Sequence, residues 1–235
     1  MPVVDHVVAR GKLAVGQHVL DLGTGTGAVA ARACEIVGSE GRVVAVDISA
    51  DMLARAQQRF SRCGIRNVVL CEGRAENLPV APEAFDVVLA SLRLMYVIDR
   101  KAAARELARV LRPGGRLVAA VWSAPEQCDI VRFQQIAGPP PVPGVGPGSL
   151  ADPKPFLAEL AEAGISAKAE VETLGFEFED FASAWDALAG VTTAGLSSER
   201  RQEAMRAVRE AMYVEGDGPR HFSNATHFIV GQRTG

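Results

Sequence analysis

Residues 19–27 read Val-Leu-Asp-Leu-Gly-Thr-Gly-Thr-Gly and constrain the chain more than any other stretch. A short apolar run carries one acid, and three alternating glycines lead straight into an Ala-rich helical segment. The pattern predicts a buried strand turning sharply into a helix, over a backbone bare enough for a ligand to lie against it. A second apolar run, from Arg42 to Asp47, ends in another acid 20 residues past Gly27. Together the two features imply a nucleotide-like cofactor.

The same strand-then-helix rhythm continues. Val3, Val4, Val7 and Val8 sit at helical spacing, so residues 1–17 hold a short amphipathic helix ending near Gly11. Strands are expected at about 18–22, 42–47, 67–71, 85–90 and 116–122, with helices at about 26–37 and 99–111. Between the second and third strands lies another helix, with Ser49 as its N-cap, Asp51 in its first turn and Gly64 at its end. Leu53, Ala56, Phe60 and Cys63 share one face of it. Pro113-Gly114-Gly115 is expected to break the helix over 99–111. Such alternation with short loops implies a doubly wound α/β fold. Its sheet is expected to be seven-stranded and mostly parallel, with an antiparallel last strand.

The second half is different. Residues 138–148, rich in Gly and Pro, can be neither helix nor interior strand and are read as a long loop over the active face. Asp152-Pro153 starts a helix that ends at Gly164. A strand near 168–174, helices near 180–189 and 198–214, and a last strand near 225–232 complete the chain. The expected organisation is one domain over 1–235, with a short N-terminal helix (1–17), a cofactor-binding half (18–122) and a substrate-side half (123–235).

Composition narrows the partners. A net charge of −3 leaves no electrostatic footprint for DNA or RNA and argues against a membrane surface as main partner. No apolar run is long enough to span a membrane, and no signal peptide is expected at the N-terminus. Oligomeric state is left open. The four cysteines, at 34, 63, 71 and 128, form no Cys-x-x-Cys pair and have no His at zinc spacing, so no metal site is expected. They read as thiols in a reducing, cytoplasmic setting, buried where they fall inside elements.

The glycines alone do not choose the cofactor. Gly23, Gly25 and Ala28 also satisfy the dinucleotide pattern, with Asp47 as ribose acid, so an NAD(P)-dependent reductase remains an alternative. Asp21 separates the readings, because an ionised carboxylate repels a pyrophosphate but attracts an ammonium or sulfonium.

Val19–Gly27 resembles motif I of the class I S-adenosylmethionine-dependent methyltransferases. Asp47 matches the acid ending their second strand, and Cys71–Pro79 resembles the segment lining the adenine. Phe85–Ser91 and Leu111–Val118 resemble the strand-four and strand-five motifs. By pattern the chain is most similar to the ubiquinone and menaquinone biosynthesis group, strongly over residues 12–122. The resemblance implies S-adenosylmethionine as cofactor, with Gly23, Thr24, Gly25 and Gly27 along its methionine part and Asp21 at its ammonium. It places Asp47 on the ribose hydroxyls, Ile48 and Met52 on one adenine face, and Arg74, Ala75 and Glu76 at the adenine edge. Ser91 and Leu92 border the transferred methyl. Two departures stand out. Arg74 replaces an acid that many relatives use toward the adenine amino group, and the short N-terminus leaves lid duty to an open pocket or to 138–148.

The implied reaction moves a methyl group to an oxygen or carbon of a small molecule. A base is needed only if the acceptor must lose a proton, so the resemblance assigns no catalytic residue. Candidates are His221, in a loop before the last strand, and Tyr96 and Arg93 after strand four. No Asn-Pro-Pro-Tyr or Asp-Pro-Pro-Tyr follows strand four, which disfavours amino-methylation of DNA bases or glutamine. A protein of a different class, binding the cofactor without transferring a methyl, is a further alternative.

Overall fold

The apolar runs form the strands they predict. A computed structural model describes residues 2–139, 142–193 and 195–235. Met1, and Pro140 and Pro141 of the expected loop, lie outside the described residues. The chain opens with helix α1 (Pro2–Gly11), then strand β1 (His18–Leu22), α2 (Ala28–Val37), β2 (Arg42–Asp47), α3 (Ala50–Arg62) and β3 (Val68–Glu72). Strand β4 (Phe85–Ser91), α4 (Arg100–Val110) and β5 (Leu111–Trp122) follow. After them come α5 (Asp129–Ala137), α6 (Lys154–Glu162), β6 (Ile165–Phe178), α7 (Phe181–Leu188), α8 (Gly190–Thr193), α9 (Ser198–Met212) and β7 (Arg220–Arg233).

The seven strands form one sheet in the order β3-β2-β1-β4-β5-β7-β6, and β7 runs antiparallel to its neighbours. β1 pairs in parallel with β2 on one side and β4 on the other. Its Val19, Leu20 and Leu22 are fully buried, as a strand covered on both faces requires. The order reverses at β1 and β4. In open α/β sheets such a switch point leaves a crevice beyond the carboxyl ends of the strands.

By internal contacts the chain divides into two compact units. The first comprises Met1–Val121, Pro153–Glu170 and Phe228–Gly235; the second comprises Trp122–Asp152 and Val171–His227. In the first, α1 buries Val3, Val7 and Val8, and the ring of its His6 stacks on Phe228 at 5.5 Å. The core of the second is aromatic: Phe133, Phe181, Trp185, Tyr213 and Phe222 meet through ring contacts of 5.0–6.5 Å between centroids.

Several boundaries differ from expectation. Helix α4 ends at Val110 because Leu111 is already extended and pairs with Phe85. Pro113-Gly114-Gly115 therefore lies inside β5, not between helix and strand, as the extra residues of a bulge between Phe85↔Leu111 and Val87↔Arg116. A bulge tolerates proline, whose missing N–H would otherwise break the ladder. Cys63 is exposed, not on the buried face of α3, which rests on Ala56 and Phe60. The cap of α6 is Pro153, one residue past the expected Asp152. Helix α5 was not expected at all.

Candidate cofactor site

Strand β1 ends at Leu22, and the glycine turn is clamped at once onto β2. The N–H groups of Gly23 and Thr24 both donate to the carbonyl of Val46, at 2.8 and 3.0 Å. Gly23, Gly25 and Gly27 all have positive φ, at 71°, 54° and 81°, a region costly for any residue with a Cβ. Their three empty sides differ. A Cβ at Gly27 would strike the Phe60 ring at 2.7 Å, and one at Gly23 would strike the stem of Arg93 at 2.3 Å. A Cβ at Gly25 would meet nothing within 4 Å. Gly27 and Gly23 are glycine for packing; Gly25 is bare toward open space.

Asp21 lies beneath this turn, 1% exposed. Its Oδ2 accepts from the Thr24 hydroxyl at 2.6 Å and from the Ala30 N–H at 3.0 Å, so it caps α2, which has no side-chain cap of its own. Its Oδ1 is buried without a hydrogen-bond partner. Burial raises the Asp21 pKa from 3.8 to about 7, against the pull of the Thr24 and Ala30 hydrogen bonds, and Asp47 adds a smaller push upward. Burial disfavours the ionised form, and a cation beside Oδ1 would favour it.

Asp47 ends β2 and holds two loops together. Its Oδ2 accepts from the Gly25 N–H at 2.8 Å, and its Oδ1 accepts from the Ser49 N–H at 3.0 Å. Each carboxylate oxygen keeps a second acceptor direction. Ser49 caps α3 as expected, its hydroxyl accepting from the Met52 N–H at 3.3 Å. Ile48, beside Asp47, is an exposed large apolar side chain at 40%, and Met52 is half-buried. The Gly73 N–H donates to the Asp47 carbonyl at 3.0 Å, which brings the segment after β3 to the same end of the sheet. There Ala75 is buried. Arg74 faces Glu76 (Nε to Oε2, 3.7 Å), whose other oxygen accepts from the Ile98 N–H at 3.2 Å.

After β4, Ser91 and Leu92 are half-buried, and Leu92 has φ of 57° with its N–H donating to the Ala120 carbonyl at 2.9 Å. Arg93 lies against Gly23. Burial pushes the Tyr96 phenol up to about 12, outweighing the opposing charge of Arg93, so Tyr96 stays protonated at neutral pH. His221 is not in a loop: it lies in β7, which starts about five residues before the expected 225, is exposed, and its Nδ1 meets Glu177 Oε1 at 2.5 Å. It belongs to the second unit, whereas the glycine turn, both acids, Arg93 and Tyr96 belong to the first. Two contributors were missed: Phe60, which fills the side of Gly27, and Arg59, whose Nε donates to the Thr26 carbonyl at 2.8 Å. Their positions on α3 follow from the period, but their contact with the turn does not.

Among the described residues no cluster of His, Cys, Asp or Glu is arranged to hold a metal ion, and no helix is long and apolar enough to cross a membrane. In the second unit, Gly144, Val145 and residues 147–149 help line a cavity of about 230 Å³ with Gln134, Gln135 and Thr192.

The turn, the two acids and the apolar shelf suit an elongated ligand with a cationic end, a diol and a flat ring. Residues 13–136 match the family model described as a methyltransferase domain. The chain belongs to that family. A ubiquinone/menaquinone biosynthesis C-methyltransferase, UbiE, from Klebsiella pneumoniae is 41% identical over 111 residues, 47% of this chain and 44% of that protein. The chain thus matches under half the length of this curated relative. Among solved structures, the YcgJ protein of Bacillus subtilis superposes with a TM-score of 0.73 at 18% identity, over 100% of this chain and 99% of that one. The [4+2]-cyclase SpnF superposes with a TM-score of 0.64 at 20% identity, over 100% of this chain and 82% of that one. At such identities the likeness to solved structures establishes the methyltransferase fold alone.

Proposed function

We propose that the chain binds S-adenosylmethionine and transfers its methyl group to an oxygen or carbon of a small molecule. The observation that carries this reading is Asp21, buried beneath the glycine turn with one oxygen idle and a pKa of about 7. A dinucleotide phosphate would worsen that environment; an ammonium would complete it. The cofactor, when bound, supplies an activated methyl on a sulfonium, and the protein supplies alignment and desolvation.

Each residue has its own task in this reading. Asp21 attracts the ammonium, and Gly25 leaves the backbone open along the methionine part. Asp47, already oriented by Gly25 and Ser49, presents its remaining lone pairs to the ribose hydroxyls. Ile48 and Met52 cover an adenine face, and Ala75 offers its N–H to the adenine edge. Ser91 and Leu92 border the methyl. Arg74 is turned toward Glu76 and leaves the adenine amino group to a backbone carbonyl. Tyr96, held protonated, serves as a hydrogen-bond donor and not as a base.

We read the chain as one methyltransferase domain, with residues 123–235 as its substrate-side half. The four free cysteines suit a reducing, cytoplasmic compartment: burial pushes the Cys34 and Cys128 thiols up to about 12.

Calorimetric titration with S-adenosylmethionine and with NADPH tests the reading. Binding of the first and not the second is expected, and tight binding of NADPH alone overturns it. A screen of acceptors for S-adenosylhomocysteine release then separates methyl transfer from cofactor binding without turnover.

A further inference from the structure

An acidic and a basic side chain flank the glycine turn. Asp21 lies beneath it, with Oδ1 buried and unpaired. Arg93 lies against it: a Cβ at Gly23 would come within 2.3, 2.6 and 2.7 Å of its Cγ, Cδ and Cβ. This placement is built in. Leu92, at the end of β4, takes a left-handed φ of 57° that an L-residue adopts only at a cost, and its N–H is held by the Ala120 carbonyl at 2.9 Å. The strained residue aims the next one at Gly23, and the glycine provides the room. The Arg93 guanidinium makes no hydrogen bond or ion pair with another side chain among the described residues.

Packing alone does not explain an arginine here. A methionine or leucine stem covers Gly23 equally well without a charge to satisfy. A guanidinium is the side chain whose planar fork matches a carboxylate. An α-amino-acid group carries an ammonium and a carboxylate on a single carbon, so a site that reads both needs an acid and a base close together about one gap. The glycine turn has such residues on it: Asp21 beneath, hydrogen-bonded to Thr24 and Ala30, and the Arg93 stem against Gly23, while Gly25 keeps its own side clear.

We propose that Arg93 anchors the carboxylate of the cofactor's amino-acid end, opposite Asp21 at its ammonium, so that the glycine turn recognises a zwitterion. The assignment rests on the S-adenosylmethionine reading above. It makes Arg93 a cofactor-binding residue and not the catalytic candidate the sequence offered.

The test is calorimetric titration of the full chain with S-adenosylhomocysteine and with its decarboxylated analogue, which keeps the ammonium. The wild type is expected to bind the first about tenfold or more tightly than the second, the scale of one charge-assisted hydrogen-bonded pair. Arg93→Met keeps an unbranched stem over Gly23. It should lose that preference by weakening S-adenosylhomocysteine about tenfold while leaving the analogue unchanged, and Arg93→Lys should recover part of it. Asp21→Asn should weaken both ligands alike. The proposal is overturned if Arg93→Met weakens both ligands equally, which is loss of packing, or weakens neither. It is also overturned, with the cofactor reading intact, if the wild type binds both ligands equally well. A wild type that binds neither overturns the cofactor reading and this assignment together.

Discussion

At Asp21 the fold holds a carboxyl group under the glycine turn, buried and with one oxygen unpaired. Its folded pKa of about 7 lies above the ordinary 3.8 because it is buried. Between those values the native state holds a proton that the unfolded chain has released. The stability from this group is therefore full below about pH 3.8 and is lost as pH rises through about 7. Urea unfolding of the ligand-free protein at pH 5 and pH 8 should show a wild-type advantage at the lower pH that Asp21→Asn lacks; equal pH slopes would refute the assignment. Ligand binding runs the other way. A cation selects the ionised carboxylate, so S-adenosylmethionine affinity should fall as pH drops below about 7 in the wild type but not in the variant.

The glycines also part company at this scale. Gly27→Ala combines a φ of 81° with a collision against Phe60 and should cost about 2–4 kcal/mol in chemical denaturation. Gly25→Ala has open space and should cost only about 1–2 kcal/mol, the backbone term, yet it should weaken S-adenosylmethionine binding by more than that loss explains. A Gly25 variant as unstable as the Gly27 variant would show that the open side is not open.

At the scale of elements, what decided the second half was the company each segment keeps. Helix α5 lacks a side-chain cap of its own and starts where Asn224 of β7 reaches it: Oδ1 accepts from the Ile130 N–H at 2.8 Å and from Cys128 Sγ at 3.2 Å. Asn224 is fully buried and its Nδ2 donates to the Phe222 carbonyl at 3.0 Å. Truncation to Ala strands these groups, so Asn224→Ala should cost about 1–3 kcal/mol and shift the urea midpoint down accordingly. An unchanged midpoint would mean that water replaces the amide. The bulge at Pro113-Gly114-Gly115 makes the same point in a strand: a local breaker is absorbed where neighbouring pairs on either side hold the ladder.

For the whole molecule, the sheet order makes the chain's end structural. β7 lies between β5 and β6, and its last part completes the first unit with Phe228 and Ile229, both fully buried. Burying two such side chains is worth about 3–6 kcal/mol, a large share of the roughly 5–15 kcal/mol by which a domain is stable. A chain ending at His227 should therefore lose cooperative thermal unfolding by circular dichroism. A sharp transition near that of the full chain would place the stabilising contacts elsewhere.

The local half of this protein was written in its residues. The strands at 18–22 and 42–47, the Ser49 cap, the end of α2 at Gly38 and the glycine turn all appear where period, capping and glycine chemistry put them. Those signals act within a few residues, so they survive without knowledge of the rest. The positions of Asp21 in β1 and Asp47 at the end of β2 were legible for the same reason. Three things needed the tertiary structure: the early start of β5, the idle oxygen of Asp21 and the stem of Arg93 over Gly23. β6 was legible only in its middle: Lys168, Glu170 and Glu172 alternate with Ala167, Ala169 and Val171 at period two, whereas its ends at Ile165 and Phe178 follow from its place at the edge of the sheet. Each depends on which distant segment lies alongside, and no local pattern records that. The sequence determined that a glycine turn follows β1; only the packing of α3 and of the segment after β4 decided which of its glycines stays bare, because Phe60 and Arg93 reach the turn from distant parts of the chain.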